Sequence, residues 1–534
     1  MTSLFLVLIA AIVLICIWLN NVSMRIGIPT LLAFILLGIF VGNVGFIPIQ
    51  LDSQDFARET CTIALIFIMF YGGFGTRWKA VKPVIREAGL LASAGVIATA
   101  ALTGVFCHLV LGWSLAEGLL IGSVLGSTDA ASVFSILRSK RMGLQNNIAP
   151  MLEAESGSND PFAYMMTAVM IAVINGEASA GATVWMLFSQ LVFGAGCGLL
   201  IAYGASWILQ RFNFMTEGFD TLFIFAIAVA SYAIPDLMGG NGYLSAYLVG
   251  IILGNEDFKG KKAIVGFFDG MTGLMQVLIF FILGLLARPS EMHLAILPAL
   301  AIFAFMLLAA RPLSVMGILA PFRKYKLSQQ AFISFVGLRG AASIVFAIMA
   351  VTSCTGLNHD LFNIVFCLVL ISLLFQGSLI PQAAKLLKVI DPKVNILKTF
   401  NDYTEDTDLE FGSIKLEESS PWTGKSIREL GLPAGLMIAM IIRRGERVVP
   451  RGDTVLEAGD EVVFLSHAVN DIGASLIEKR VKPGSRRAGH SLKEYPGDGI
   501  VIMIIRDKET MIPTGDTVLH IGDRLVLYRP SALE

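Results

Sequence analysis

The chain has 534 residues, of which 55% are hydrophobic and only 15% are charged, and its mean hydropathy is +0.72. A soluble domain of this length does not carry such a composition, so we expect the chain to lie in lipid. The formal net charge of -1 supplies no general basic field, which argues against nucleic acid as a partner. The six cysteines lack C-x-x-C spacing, so neither a disulfide framework nor a zinc site is expected.

Thirteen apolar segments recur along residues 1–390. They are 4–20, 26–44, 61–75, 89–113, 116–137, 151–174, 185–209, 219–234, 243–254, 267–287, 294–320, 331–351 and 361–387. Most approach the roughly 20 residues that cross about 30 Å of hydrocarbon, but 243–254 is short enough to be a re-entrant loop. The pattern predicts an all-α polytopic membrane protein with thirteen transmembrane helices.

The charge of the loops indicates whether the short segment 243–254 crosses the membrane. Lysine and arginine concentrate on the cytoplasmic side of short loops. If every segment crosses, fifteen of these residues fall on one side, and only Arg58 and Arg288 on the other. If the short segment does not cross, the lysines of 259–262 move outside. We therefore expect it to cross, extended by 239–242, with the N-terminus outside and the C-terminus in the cytoplasm of a bacterial inner membrane.

A polar cluster interrupts the fifth segment at residues 126–132 and contains Thr128, Asp129 and Ser132. Glycine and polar residues at membrane depth predict a helix that breaks there. Unwound backbone is tolerated in a membrane only where it lines a cavity or is buried in protein. Such breaks hold the ion sites of many secondary transporters.

The most telling cluster lies at the head of the sixth segment and contains Glu153, Glu155, Ser156, Asn159 and Asp160. On a helix, Glu155 lies four residues from Asn159, and Ser156 four from Asp160, so oxygen ligands converge on one side. Hard monovalent cations take several oxygen ligands, and a carboxylate that also binds a proton lets the two ions compete for one position. We therefore expect Asp160 to exchange a cation for a proton.

A plainer interpretation makes this cluster a loop outside the membrane. Asn159 and Asp160 before Pro161 are good helix-start chemistry. Polar residues inside an apolar segment are usually functional, which favours the ion site. Glu153 is weaker evidence, because a solvated position near the cytoplasmic end fits it equally well.

Two arginines lie inside apolar segments, where each costs at least about 2.5 to 3.5 kcal/mol at mid-helix and is kept only when paired or functional. Arg311 has no acid in its own segment, and Glu155 is its candidate partner. Such a pair would hold Glu155 ionised and leave Asp160 as the titrating group. The alternative is an Arg311 side chain that extends to the cytoplasmic face.

The second arginine, Arg339, belongs to a motif that matches the cluster in the fifth segment. Residues 337–343 superpose on 126–132 without a gap, and Arg339 then corresponds to Thr128. Corresponding interruptions in the two halves of a transporter predict two broken helices that cross near the site. Tight helix packing through small residues is the alternative origin of the match.

After residue 390 the composition changes to an acidic stretch, 401–410, followed by strand-like runs at 436–442, 461–465 and 500–505. Sequence patterns at 424–427, 450–456 and 459–460 reappear at 489–492, 513–519 and 522–523, which indicates two copies of a small α+β unit. The repeated glycine–aspartate pairs are turn chemistry and favour compact structural units. We expect a membrane domain at 1–390, a linker at 391–410, a first tail unit at 411–470 and a second at 480–534.

The motifs of residues 1–390 resemble the NhaP-type branch of the monovalent cation/proton antiporters. The resemblance rests on Thr128-Asp129, on the pattern from Glu155-Ser156 to Asn159-Asp160, on Arg311 and on residues 337–340. It implies an inverted-repeat fold, a homodimer, and Asp160 as the carrier of cation and proton. Because Asn159 stands where electrogenic relatives have a second aspartate, it also implies electroneutral 1:1 exchange.

The same resemblance implies which side chains surround the ion. Thr128 and Ser156 are expected to join Asp160 in the shell of the monovalent cation, with Asn159 and Asp129 beside them. Glu155 is expected to form an ion bridge to an arginine, and either Arg311 or Arg339 fits that role. Transported potassium or sodium and protons are the expected ligands, without a tightly bound cofactor.

The tail resembles the TrkA-C (RCK-C) regulatory domain, here doubled and without an accompanying nucleotide-binding Rossmann half. Antiporters with such a tail resemble potassium/proton exchangers, so potassium is the first choice of cation and sodium the second. A nucleotide or another small ligand is a possible regulator of the tail. Doubling departs from the single-copy pattern and leaves open whether the second copy binds a ligand.

Two other functions compete with exchange. An RCK-gated potassium channel or conductive transporter would share the tail, but the sequence has no T-V-G-Y-G-like filter. A membrane-embedded hydrolase with Asp129 and Asp160 as a dyad would lack a nucleophile or an activating metal. The sequence thus predicts a transporter and not an enzyme, with membrane lipid, monovalent cations and protons as its partners.

Overall fold

The structure is a computed structural model with two compact units, Met1–Thr404 and Glu405–Glu534. In the first unit it describes residues 10–19, 30–43, 54–140, 142–211, 218–256, 261–290, 292–322, 324–354 and 356–391. In the second it describes residues 409–416, 422–430, 436–443, 446–467, 474–481, 488–494, 500–506, 509–511 and 516–530, and across both units the single positions 7, 258, 420, 432 and 485.

Helices lie at every predicted apolar segment of the first unit. They are α1 (Ala10–Leu19), α2 (Thr30–Asn43), α3 (Gln54–Gly75), α4 (Trp78–Val81), α5 (Ile85–Ala92), α6 (Ala94–Leu111), α7 (Leu115–Val124), α8 (Ala130–Ser139), α9 (Ile148–Ile174), α10 (Ala180–Arg211), α11 (Phe219–Leu237), α12 (Gly242–Asn255), α13 (Lys261–Leu286), α14 (Met292–Phe305), α15 (Arg311–Leu319), α16 (Leu327–Phe335), α17 (Ala341–Ser353), α18 (Leu361–Ile371) and α19 (Gly377–Leu386). π-helical turns at Met306–Ala310 and Ser372–Gln376 join α14 to α15 and α18 to α19.

Within the described residues, seven helical stretches are long and apolar enough to cross a membrane, and five further apolar helices are shorter. The helix α9 is not among them, although it has 27 residues. Its apolar run is interrupted by the polar cluster of the sixth segment, which lowers its hydropathy. The helix that carries the candidate ion site is therefore long enough to span a membrane but not apolar enough to be counted as a span.

The short segment 243–254 forms the helix α12. Its N-cap is Asn241, whose side-chain oxygen accepts a hydrogen bond from the amide of Leu244. The expected extension back to Gly239 is wrong, because Gly239 has a φ of +73° and lies in the turn after α11. A left-handed residue ends a helix and favours glycine, so the chain restarts only at Gly242.

Close helix packing in the first unit depends on glycines where α3 meets α12. A Cβ atom on Gly73 would lie 2.2 Å from the carbonyl oxygen of Tyr247, and one on Gly250 would lie 2.1 Å from that of Phe70. Small residues let membrane helices approach at backbone distance. This contact fixes α12 against α3, and α12 in turn holds α9 through a side-chain bond described below.

The tail consists of two four-stranded antiparallel sheets with the same strand order, β1-β4-β2-β3 and β5-β8-β6-β7. The strands are β1 (Leu409–Lys415), β2 (Leu436–Arg443), β3 (Glu446–Val448), β4 (Glu461–His467), β5 (Ala474–Arg480), β6 (Ile500–Arg506), β7 (Glu509–Met511) and β8 (Arg524–Pro530). The strand-like runs predicted at 436–442, 461–465 and 500–505 are confirmed as β2, β4 and β6. The internal repeat is confirmed by the identical topology.

Equivalent arginine–aspartate pairs bind the two sheets internally. Arg443 donates to both carboxylate oxygens of Asp460 at 2.9 and 2.8 Å, and Arg506 donates to those of Asp523 at 2.8 and 2.8 Å. The hydrogen bonds from Arg506 hold the pKa of Asp523 below its usual range despite its burial. Burial alone would raise the pKa of Asp460, but the bonds from Arg443 and from the amide of Glu457 outweigh it and lower that pKa.

The glycine before each of these aspartates explains the repeated glycine–aspartate pair. Gly459 has a φ of +89° and Gly522 a φ of +102°, a region that side chains other than glycine rarely adopt. The turn then presents Asp460 and Asp523 to the arginine of the neighbouring strand. The predicted turn chemistry is confirmed.

Candidate functional site

Two helices of the first unit are interrupted at corresponding positions. α7 ends at Val124 and α8 begins at Ala130, while α16 ends at Phe335 and α17 begins at Ala341. Both gaps have the same length, and in both the second helix begins at the same position of the matching motifs 126–132 and 337–343. The predicted breaks are therefore present in both helices.

The two breaks contact each other directly. The main-chain amide of Asp129 donates to the carbonyl oxygen of Leu338 at 2.8 Å, and Nη1 of Arg339 donates to the carbonyl oxygen of Ser127 at 2.5 Å. A Cβ atom on Gly340 would lie 2.5 Å from the Asp129 carboxylate. Only glycine fits at position 340 without displacing the neighbouring break.

Asp129 also has a structural task as the N-cap of α8. Its Oδ1 accepts from the amide of Ser132 at 3.0 Å, and its Oδ2 accepts from the Ser132 hydroxyl at 2.5 Å. These bonds satisfy donors at the start of the half-helix, where no intrahelical partner exists. Both carboxylate oxygens are thus already engaged in one hydrogen bond each.

The helix α9 runs unbroken through Pro161, with Asn159 and Asp160 buried in its interior at 0% and 5% exposure. The alternative of a solvated loop that starts a helix at Asn159 is therefore wrong. Asn241 donates to the carbonyl oxygen of Pro161 at 2.9 Å and ties α9 to the start of α12. Glu153 is also buried, at 8% exposure.

Side chains of α9 satisfy the backbone of the first break. Asn159 accepts from the amide of Thr128 at 3.3 Å and donates to its hydroxyl at 2.6 Å. The Ser156 hydroxyl donates to the carbonyl oxygen of Thr128 at 2.6 Å and accepts from the amide of Ala130 at 3.0 Å. Unwound backbone in a membrane needs such partners. Thr128, Ser156 and Asn159 are thus brought together, in line with the arrangement that the family resemblance implies.

Asp160 contacts the same break through a residue that sequence reasoning missed. The Ser127 hydroxyl donates to Oδ1 of Asp160, and both residues are buried. Ser127 lies inside the polar cluster of the fifth segment, so its position in the sequence already indicated that it could belong to the site. Its contact was not foreseen because only the packing of α9 against the break decides which hydroxyl meets Asp160.

Glu155 pairs with Arg311, and Arg339 does not contact it through a hydrogen bond. Nη2 of Arg311 donates to Oε1 of Glu155, with the two side chains 4% and 1% exposed. The alternative of an Arg311 side chain that extends to the surface is wrong. Arg311 directly follows a π-helical turn, a distortion that is frequent at functional sites.

A cavity of about 700 Å³ opens onto this arrangement. Its walls include Ser127, Thr128, Asp129, Ser156 and Asp160. The ion pair of Glu155 and Arg311 does not line it, and neither do Asn159 and Arg339. The cavity therefore exposes the carboxylates and hydroxyls of the predicted site to water and ions. The remaining residues of the predicted site lie outside the cavity wall.

Residues 9–386 match the family model described as sodium/hydrogen exchanger, transmembrane. The chain belongs to the sodium/hydrogen exchanger family. As a member of the sodium/hydrogen exchanger family it is a multi-pass membrane protein and a cation/proton antiporter, not an enzyme. This assignment removes the channel and hydrolase alternatives. Residues 412–469 and 476–532 each match the TrkA-C domain, so the antiporter carries a doubled regulatory tail.

Relatives of this chain include proteins with potassium in their names. The chain is 35% identical over 452 residues to the K(+)/H(+) antiporter NhaP2 of Shewanella sp. (strain MR-4). This alignment covers 84% of the chain and 78% of the relative. It is 34% identical over 474 residues to the K(+)/H(+) antiporter NhaP of Alkalimonas amylolytica, with 87% and 81% covered.

A solved structure shares the fold. The sodium proton antiporter MjNhaP1 from Methanocaldococcus jannaschii at pH 8 superposes with a TM-score of 0.62 at 22% identity, over 75% of this chain and 99% of that one. The mostly helical antiporter fold of the first unit is thereby confirmed.

Proposed function

We propose that this antiporter exchanges potassium for protons in a 1:1 ratio at Asp160, with sodium as the second choice of cation. The observation that carries the proposal is the position of Asp160 in the wall of the cavity, where Ser127 donates to it. A carboxylate in that place can hold either a cation or a proton, but not both at once. Potassium is preferred because the two relatives at 34–35% identity are named as K(+)/H(+) antiporters.

The oxygens around Asp160 support binding of a monovalent cation there. In the proposed site, the Thr128 and Ser156 hydroxyls supply further ligands, because each has a lone pair beyond its protein hydrogen bonds. Asp129 contributes negative charge to the same wall while it caps α8. Asn159 acts from behind by fixing Thr128. Hard monovalent cations prefer such a set of oxygens.

The charges near Asp160 favour electroneutral exchange. Asn159 is neutral, and the charge of Glu155 is balanced by Arg311. Both oxygens of Asp129 are engaged by Ser132. In the proposed cycle Asp160 alternates between a bound cation and a bound proton, so each turnover moves no net charge.

The architecture that we propose for transport is an inverted repeat with thirteen membrane crossings. The matching positions of the breaks before Ala130 and Ala341 support a repeat. We further propose a homodimer in a bacterial inner membrane, with the N-terminus outside and the C-terminus in the cytoplasm, as the loop charges indicate.

Reconstitution into proteoliposomes tests this function. Dissipation of a proton gradient is followed by fluorescence dequenching with potassium, sodium or lithium added in turn. The wild type should respond to potassium most strongly, and Asp160→Asn, which keeps the shape of the side chain, should abolish the response. Exchange at the wild-type rate in Asp160→Asn would refute the site. A clamped membrane potential should leave the rate unchanged, and a rate that follows the voltage would refute the 1:1 ratio.

A further inference from the structure

Glu153 lies in the wall of the same cavity as Asp160. The two residues are seven positions apart on α9, which puts them on one face of the helix and about 10 Å apart along its axis. Glu153 is 8% exposed, and its Oε1 has no hydrogen-bond partner among the described residues. Glu153 thus lines the cavity, and one of its carboxylate oxygens is buried without a protein partner.

The other buried glutamates among the described residues differ from Glu153 in having side-chain partners. Glu87 contacts Nζ of Lys324 at 2.5 Å. Glu117 accepts from the amide of Asn358 at 2.6 Å and contacts Nδ1 of His359 at 2.9 Å. Glu155 has Arg311. Each of these three acids has a side-chain partner at hydrogen-bond distance.

Several charged or titratable groups face Glu153 from neighbouring elements. Arg138 on α8 and Arg77 before α4 are the cations near enough to act on its charge. Tyr247 on α12 lies near both Glu153 and Asp160. From α13, Asp269 lines the same cavity and accepts from the Tyr71 hydroxyl at 3.3 Å. The two arginines offset part of the negative charge of this region, which favours a monovalent over a divalent cation.

A buried carboxylate oxygen without a hydrogen-bond partner costs free energy unless a water molecule or an ion binds to it. A partly hydrated cation in the cavity can bind to the Glu153 carboxylate, because the space is large enough to hold water and ions. Because Glu153 lies on the same face of α9 as Asp160, its negative charge also attracts the cation to a position near the exchange site.

We propose that Glu153 is a second binding site for the transported monovalent cation, occupied before Asp160 along the same cavity. This inference rests on the proposed function, in which Asp160 is the exchange carboxylate. Glu153 concentrates the cation beside Asp160 and does not take part in the exchange of cation for proton. Its removal therefore weakens the apparent affinity for the cation while the maximal rate persists.

The first test compares Glu153→Gln with the wild type in proteoliposomes. The substitution keeps the shape and removes the charge. We expect the KM for potassium to rise about five- to tenfold, while the rate at saturating potassium stays within about twofold. Glu177→Gln is the matched control, since Glu177 is exposed after the end of α9 and outside the cavity wall. An unchanged KM in Glu153→Gln would overturn the inference.

A second test needs no variant at position 153. Full-length Asp160→Asn protein in detergent is treated with an apolar carbodiimide, which modifies buried carboxyl groups, and Glu153 is followed by peptide mass spectrometry. Potassium should slow the modification of Glu153 compared with the same concentration of choline. Equal labelling in both salts would overturn the inference, and this result decides if Glu153→Gln fails to insert.

The two proposals fail in different ways. If Asp160→Asn still exchanges ions at the wild-type rate, the proposed exchange site is wrong, whatever the labelling of Glu153. If Asp160→Asn is inactive but potassium does not protect Glu153, only the second site is wrong.

Discussion

The main-chain amide of Asp129 donates a 2.8 Å hydrogen bond to the carbonyl oxygen of Leu338. This bond joins the two interrupted helices at the point where each is unwound, beside the cavity that holds Asp160. Substitutions at either break therefore test whether this contact matters for transport.

Gly340→Ala should push the breaks apart. The new Cβ atom would lie 2.5 Å from the Asp129 carboxylate, and overpacking of this kind costs about 1–3 kcal/mol. We expect a lower melting temperature and slower exchange in proteoliposomes. Gly317→Ala on α15 is the control, because nothing lies within 4 Å of its added methyl group. Wild-type exchange in Gly340→Ala would show that the contact of the breaks is unimportant.

Glu155→Gln should destabilise the protein more than it alters ion binding. It leaves Arg311 buried at 4% exposure without its counter-charge, and breaking a buried pair costs about 3–5 kcal/mol. Expression and melting temperature should both fall. The double variant Glu155→Gln, Arg311→Met should recover part of this loss, because no unpaired charge remains. A fully stable but inactive Glu155→Gln protein would instead make Glu155 a direct ligand of the transported ion.

Removal of the tail after residue 398 should leave a folded and active exchanger with a changed rate or activation pH. The acids and arginines of the candidate site all precede residue 340, so the exchange chemistry does not need the tail. A ligand of the tail can change transport only through different affinities for the two transport states. Complete loss of exchange in a truncated protein that is dimeric and correctly inserted would contradict this prediction.

The first tail unit should lose stability in acid through Asp460. Its pKa is lowered in the folded state, so its contribution is fully present above the unfolded pKa of about 3.9 and is lost as the pH falls through the folded value. At neutral pH, Asp460→Asn should cost about 1.5–3 kcal/mol, because bonds to charged groups are strong. Hydrogen exchange of β2 and β4 in the full-length protein measures both effects. Asp453→Asn, at an exposed turn, should change neither.

The helices and the positions of the polar clusters could be predicted from the sequence alone. Apolar segments predict the helices because burial in lipid is a local demand on composition. The match between 126–132 and 337–343 located both breaks, and the repeat in the tail predicted two copies of one small α+β unit. Spacing on α9 also placed Ser156 and Asn159 together with Asp160, because helix geometry fixes which residues share a face.

The contacts between these polar groups could not be predicted from the sequence and depend on how the helices pack. Arg311 and Arg339 both lie inside apolar segments, and the sequence does not distinguish them as partners of Glu155. In the structure Arg311 pairs with Glu155, while Arg339 donates to the carbonyl oxygen of Ser127. Glu153 could be solvated or buried until the cavity wall was known. Contacts between residues far apart in the chain depend on how helices pack, and that packing leaves little trace in the local pattern of any one helix.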